Sequence, residues 1–291
     1  MKIFDHFQHI NLTNDQNNAL VKVQDFLNSD ENVFILKGYA GSGKTTLLKG
    51  VINHLKDLKK SFDVMAPTGR ASKILRDNTG YGQTIHRTIY NFEELKTIQD
   101  KDNNEDHSFQ YVFPIRQNDT EGKILIIDES SMISSRESKN ELFTFGTDIL
   151  LNDLLTYSGI PYSSNKIIFV GDPAQLPPIG DNSSKALTPE YFEQLNIKIQ
   201  SASLKEVVRQ QDNTILKNAT KIRTVLETKI RNELSLAYDD TCFIKAQSEN
   251  IATQFAEKFS VPELGQGVSI AYSNSQCLQY NRAIRKKTFP Q

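Results

Sequence analysis

Apolar residues follow two rhythms along the first two-thirds of this chain. Short unbroken runs fall within Asn32–Lys37, Ser61–Ala66, Lys123–Ile127 and Lys166–Val170. Runs of that length and composition predict strands buried on both faces. Between them apolar positions recur at helical spacing: Ala19, Leu20, Val23 and Leu27; Leu47, Leu48, Val51, Ile52 and Leu55; Ala71, Ile74 and Leu75. Thr13 with Gln16 three residues later matches a capping box that opens the first of these helices. A further helix is expected over roughly 138–157. Strands alternating with helices predict an α/β fold, a mainly parallel sheet with helices on both faces. Its ligands then belong at the carboxyl ends of the strands.

Residues 91–122 interrupt this alternation. Glu94–Gln99 and Ser108–Ile115 carry strand patterns around the polar run Asp100–Asp106, which reads as an inserted β-hairpin. Beyond Arg209 a helical stretch runs to about 236. A new unit is expected from 237 to 291, with strands near Thr241–Lys245 and at Val268–Tyr272, a helix over 248–260 and a last helix with a basic end. Two strands and two helices do not close a core of their own. The expectation is therefore a first domain over 1–236, with its hairpin, and an incomplete second domain in a fragment or truncated chain.

The 291 residues carry a formal net charge of −1, so a broad basic face is not expected and any nucleic-acid path must be a local groove. The two cysteines, Cys242 and Cys277, form no CxxC pair and signal neither a zinc site nor a disulfide framework; they read as reduced residues packed as small apolar side chains. The N-terminus has no leader-type apolar core, and no apolar run approaches the roughly 18 residues of a membrane span. The expectation is a soluble cytoplasmic protein, nucleoid-associated in a bacterium, with no membrane partner.

The chemistry concentrates at the strand ends. Gly38-Tyr-Ala-Gly-Ser-Gly-Lys-Thr45 is a Walker A pattern, set between a strand and a helix as that motif requires. Its glycines let backbone N–H groups turn around a phosphate, and the following helix adds its N-terminal dipole. Gly38, Ala40, Gly41, Ser42, Gly43, Lys44, Thr45 and Thr46 are the nucleotide-binding candidates. Lys44 reaches toward the β- and γ-phosphates, and the Thr45 hydroxyl suits Mg²⁺. Asp128-Glu129 ends the third strand in a Walker B arrangement, with Asp128 as the second Mg²⁺ candidate and Glu129 as general base. A strand-end acidic pair capping the next helix is the plainer alternative.

Further segments narrow the class. Ala66-Pro-Thr-Gly-Arg-Ala71, Thr84-Ile-His86, Asp128-Glu-Ser-Ser-Met132, Gly171-Asp-Pro-Ala-Gln-Leu-Pro-Pro178 and Val208-Arg-Gln210 follow in that order. Together with Gln16 and the glycine loop they resemble superfamily 1 DNA helicases of the RecD and Dda type. The resemblance spans about residues 12–285. It implies two RecA-like domains with ATP between them, Mg²⁺, and 5′ to 3′ movement on single-stranded DNA, with duplex junctions as substrates in repair or recombination. It implies that Gln16 recognises adenine (the capping box being its other reading), that Gln175 senses the γ-phosphate and that Arg209 is an arginine finger. Some of these helicases stack an aromatic residue on adenine just before that arginine; Val208 stands there in this chain.

Pro67, Thr68, Gly69, Arg70, Thr84 and His86 match motifs that line the family's single-strand groove, where hydroxyls and small residues suit phosphate contacts without sequence readout. A buried structural histidine is the other reading of His86. The hairpin occupies the place of the family's small inserted pin domain. Phe109, Tyr111 and Phe113 are its candidates for a wedge or stacking surface, or pack against the parent domain. Ala271–Asn274 and Asn281–Arg285 look like the opening of the second RecA-like domain. The family's later motifs are missing, so weak or no ATPase is expected of these 291 residues. A nucleotide-switched DNA-binding module that does not unwind is the alternative function. A small-molecule P-loop kinase fits Asp128–Ser130 and Gly171–Pro178 less well.

Overall fold

The structure, a computed structural model, describes residues 2–94, 96–99, 109–138, 142–208, 214–231, 234–239, 241–245, 250–259 and 267–289. The chain divides into two compact units, residues 1–210 and 211–291. The boundary expected at 236 falls within the second.

The first unit is built on a six-stranded, wholly parallel sheet. In chain order its early elements are α1 (Asn14–Asn28), β1 (Val33–Gly38), α2 (Lys44–Asp57), β2 (Phe62–Ala66), α3 (Gly69–Thr79), β3 (Gln83–Thr84) and α4 (Ile85–Ile89). There follow β4 (Lys96–Gln99), β5 (Phe109–Phe113), β6 (Ile124–Ile127), β7 (Phe143–Phe145), α5 (Leu150–Ser158), β8 (Lys166–Gly171), α6 (Pro189–Gln194) and β9 (Ile199–Leu204). The sheet order is β3-β2-β6-β8-β1-β9. Its central strands read as unbroken apolar runs because both faces are covered. Phe34, Leu36, Ile124, Ile126, Ile168 and Val170 pack against α1, α2 and α3. The alternating set, Ile35, Leu125, Ile127, Ile167 and Phe169, packs against α4, α5 and α6. Registers such as Ile35↔Phe169 and Ile127↔Phe169 align the ends of β1, β6 and β8 at one edge of the layer.

The expected hairpin is present in β4 and β5, which pair antiparallel with Thr97 opposite Tyr111. It gains a third strand. β7 joins β5 in parallel, Tyr111 opposite Phe143 and Phe113 opposite Phe145. The helix expected over 138–157 is therefore corrected: α5 begins at Leu150. Gly146 and Asp148 lie at φ 54° and 57°, a left-handed backbone that no α-helix accommodates. The edge strands β3 and β9 escaped the sequence reading because neither has a continuous apolar run; β9 is Ile-Gln-Ser-Ala-Ser-Leu.

The second unit contains α7 (Thr214–Thr228), α8 (Ile251–Lys258) and α9 (Asn274–Thr288). The helical stretch expected to 236 stops at Thr228, where Lys229 turns left-handed at φ 61°. The two expected strands are absent among the described residues. At 241–243 the Asp239 carboxylate accepts the N–H groups of Thr241, Cys242 and Phe243, and a side chain that takes those donors replaces a strand's ladder with a turn. Val268, Ile270 and Tyr272 are exposed and have no ladder partners among the described residues. Cys242 and Cys277 are free and exposed rather than packed as apolar side chains. No described helix is long and apolar enough to cross a membrane.

Candidate active site

The glycine loop joins β1 to α2 at the carboxyl edge of the sheet and is fastened on every side. The Tyr39 N–H donates to Leu204 O at 3.0 Å, Ser42 N–H to Tyr39 O at 3.1 Å, and Val208 N–H to Gly41 O at 3.0 Å. Ala40 N–H donates to Asp172 Oδ2 at 3.0 Å, and Gln16 Nε2 donates to Ser42 O at 2.9 Å. Gly43 caps α2 at φ 85°, and a Cβ there would stand 2.4 Å from Gln16 Nε2, so both conformation and space require glycine. Lys44 Nζ donates back to the carbonyls of Gly38 at 2.7 Å and Tyr39 at 3.0 Å. The loop is thus preorganised, with the N-terminus of α2 at its centre.

Across from it, β6 ends on a half-buried acidic pair. Asp128 N–H continues the ladder to Met65 O at 2.9 Å, and its Oδ1 accepts Glu129 N–H at 3.0 Å. Burial, and then the neighbouring Glu129 charge, push the Asp128 carboxyl up to about 6, with Lys44 opposing. Glu129 adopts φ 53°, ψ 37°, a left-handed backbone that is uncommon for a side chain with a Cβ. At the end of β8, Asp172 accepts Ala174 N–H at 2.9 Å through Oδ1, and Gln175 Oε1 accepts the Ser131 hydroxyl at 3.3 Å. Gly171 lets β8 approach that turn: a Cβ there would lie 3.1 Å from Ser131 N.

These residues share one cleft of about 400 Å³, lined by Ala40, Gly41, Gly43, Lys44, Thr45, Thr46, Asp128, Glu129, Gln175 and Val208. A second cleft of about 770 Å³ shares Thr45, Asp128, Glu129 and Gln175 with it and extends to Lys49, Thr68 and Arg70. The site therefore joins a glycine-rich backbone turn at a helix N-terminus, a lysine, hydroxyl oxygens and two carboxylates.

The remaining candidates are placed as follows. Gln16 is buried and closes the capping box with Thr13 while holding Ser42. Pro67–Arg70 lead from β2 into α3, where the Thr68 hydroxyl caps the helix by accepting Ala71 N–H. The Thr84 hydroxyl caps α4 by accepting Arg87 N–H. His86 packs between Tyr90 and Phe145, with ring centroids at 5.4 and 5.2 Å, and burial lowers its pKa against the pull of Asp153. Phe113 stacks on Phe145 at 5.0 Å with 16° between planes and touches Phe92 and Phe143. Tyr111 stacks on Phe143 at the more exposed end of the same aromatic face. Arg209 and the side chain of Phe109 lie outside the described residues.

Three contributors went unassigned in the sequence. Asp172 and Ser131 stand inside quoted motifs, but they act through backbone N–H groups and a side chain of distant segments. Asp153 is fully buried and accepts the Tyr90 hydroxyl at 2.6 Å and the Thr147 hydroxyl at 2.6 Å. It ties the turn after β7 to the core of the first unit, and its Leu-Leu-Asn-Asp-Leu-Leu context reads only as an ordinary helix.

Comparison with known proteins finds that residues 23–181 match the family model described as an AAA domain. The chain is 32% identical over 213 residues to protein MJ1519 of Methanocaldococcus jannaschii, covering 69% of this chain and 16% of that one. It is 29% identical over 201 residues to the RecBCD enzyme subunit RecD of Buchnera aphidicola, 66% of this chain and 31% of the subunit. It is 32% identical over 174 residues to the ATP-dependent DNA helicase Pif1 of Bdellovibrio bacteriovorus, 58% of this chain and 34% of the helicase. Among solved structures, unliganded Pif1 from Bacteroides sp aligns at TM-score 0.48 and 21% identity, over 94% of this chain and 56% of that one. The chain spans about a third or less of these curated relatives.

Proposed function

Because the chain belongs to the AAA domain family and to the RecD- and Pif1-like superfamily 1 helicases, we propose that it carries the ATP-hydrolysing motor site of a DNA helicase that moves 5′ to 3′ on single-stranded DNA. The observation that supports this most directly is the single cleft shared by Lys44, Thr45, Asp128, Glu129 and Gln175. The first unit is the RecA-like ATPase domain, and the second is the opening of another such domain.

In this reading the loop N–H groups and the N-terminus of α2 bind the phosphates. Lys44 exchanges the Gly38 and Tyr39 carbonyls for β- and γ-phosphate oxygens. The Thr45 hydroxyl and the Asp128 carboxylate are hard oxygen donors on one cleft and fit Mg²⁺, which when bound offsets phosphate charge. Glu129 orients the attacking water and takes its proton as general base. Gln175 reads the γ-phosphate, and Arg209 supplies positive charge to the transition state. Pro67, Thr68, Gly69, Arg70 and Thr84 contact DNA phosphates at the strand ends. Tyr111 at the outer end of the aromatic face offers a stacking surface for bases.

The testing experiment is linkage. Fluorescence anisotropy measures the affinity of this chain for a single-stranded oligonucleotide, with and without a non-hydrolysable ATP analogue, with Lys44→Ala as the blank. Affinity that shifts with the analogue in the wild type but not in Lys44→Ala supports the motor reading. Nucleotide binding with unchanged DNA affinity would remove it.

A further inference from the structure

Asp172 is almost fully buried, and the chemistry above gives it no part. Its two oxygens serve different loops. Oδ2 accepts the N–H of Ala40, inside the glycine loop, at 3.0 Å. Oδ1 accepts the N–H of Ala174 at 2.9 Å, and the Asp172 carbonyl accepts the N–H of Gln175 at 3.1 Å. Bonds from N–H groups to a buried carboxylate are short and charge-assisted, and they hold both partners more firmly than neutral contacts do. A turn closed twice on Asp172 leaves the Gln175 backbone little freedom of its own. At the far end, the Gln175 side chain takes the Ser131 hydroxyl, in the turn that follows Glu129. One carboxylate therefore stands between the loop that grips phosphates and the turn that carries Gln175.

We propose that Asp172 is a positioning residue that makes the glycine loop and Gln175 respond to a nucleotide as one unit. A terminal phosphate that shifts the Ala40 peptide moves the Asp172 carboxylate, and with it the turn that aims Gln175. The inference rests on the nucleotide-site reading given above and adds to it a residue that does not line the cleft. It predicts that discrimination between triphosphate and diphosphate depends on Asp172 although Asp172 lies outside the cleft lining.

The test is a double-mutant cycle on the full 291-residue chain: wild type, Asp172→Asn, Gln175→Ala and the double variant. Each is titrated with fluorescent ADP and with a non-hydrolysable fluorescent ATP analogue. Asparagine keeps the size of Asp172 but presents an NH₂ to one of the two N–H donors. Expected are a preference for the ATP analogue in the wild type, a loss of about tenfold of that preference in Asp172→Asn, and a double variant no worse than the worse single one. Asp172→Ser, which keeps one acceptor without a buried amide, repeats the measurement if the asparagine variant does not fold. An unchanged preference, or losses that multiply in the double variant, would overturn the coupling. A wild type that binds neither nucleotide would instead overturn the nucleotide site itself.

Discussion

The side-chain amide of Gln16 holds Ser42: Nε2 donates to the Ser42 carbonyl at 2.9 Å while Oε1 accepts the Thr13 N–H at 3.0 Å. The cap of α1 and the glycine loop thus share one residue, and both ends of the amide are engaged by the protein. Gln16→Ala is expected to lose about 1 kcal/mol of stability from the broken cap bond. It should weaken ATP and GTP binding in parallel, because the loop loosens for both. Denaturant titration and competition binding check this; a loss confined to ATP would mean the amide leaves Ser42 to read adenine.

Lys44→Ala should change folding little, since the ammonium's bonds to the Gly38 and Tyr39 carbonyls stay within its own loop. Nucleotide affinity should fall about a hundredfold, the worth of one or two charge-assisted bonds to phosphate. Isothermal titration against unchanged thermal melting separates the two effects.

Glu129 holds a left-handed backbone, φ 53°, at the point where it must present a carboxylate to the cleft. Such a conformation costs a side-chain-bearing residue on the order of 1 kcal/mol. Glu129→Gly is expected to raise stability by at most about half of that, because the entropic penalty of glycine, roughly 0.5–1 kcal/mol, offsets the rest. Both Glu129→Gly and Glu129→Gln should keep nucleotide binding and abolish the weak phosphate release of the wild type in single-turnover assays.

The aromatic face divides into an inner and an outer half. Phe113→Ala removes a ring stacked on Phe145 and Phe143 and should cost about 3 kcal/mol of stability. Tyr111→Ala should cost far less and instead weaken single-strand binding by about 1 kcal/mol or more, the worth of one stacked base. Melting and anisotropy on the same pair of variants would show whether stability and DNA affinity separate in this way.

The regions that the sequence placed well, and those it placed poorly, differ in physical kind. β1, β2, β6 and β8 were legible because each is buried on both faces, so composition alone marks it. Lys44, Thr45, Asp128 and Glu129 were legible because strand ends and a glycine loop locate them. β9 and β7 were not, since an edge strand or a three-residue strand is defined by its partner. Asp172, Ser131 and Asp153 were invisible in role because each acts on groups many residues away. The strands expected at 241–245 and 268–272 had the right residues, but one turn is taken over by Asp239 and neither segment has a ladder partner among the described residues.

Acid should weaken the fold through its buried histidines. Burial lowers the pKa of His86 against Asp153, and burial and then His6 lower that of His54 against Asp57 and Asp5. The neutral forms are favoured in the fold, so below about pH 6.5 the unfolded chain takes up more protons. Stability is complete above that pH and is lost as the pH falls through it. His86→Phe, which keeps a ring between Tyr90 and Phe145, should flatten the melting temperature measured from pH 8 to pH 5 relative to wild type.

The small sheet is sewn into the large one by two separate threads. β4 and β5 leave the core together, the chain returns to lay down β6, and only then does it come back with β7 to pair with β5. Asp153 knots the second thread to α4 through Tyr90 and Thr147. Excising residues 91–122 would therefore strip Phe143 of Tyr111 and Phe145 of Phe113, an orphaned seam rather than a clean scar. A graft of this sheet onto another protein must carry both threads and the buried acid that ties them.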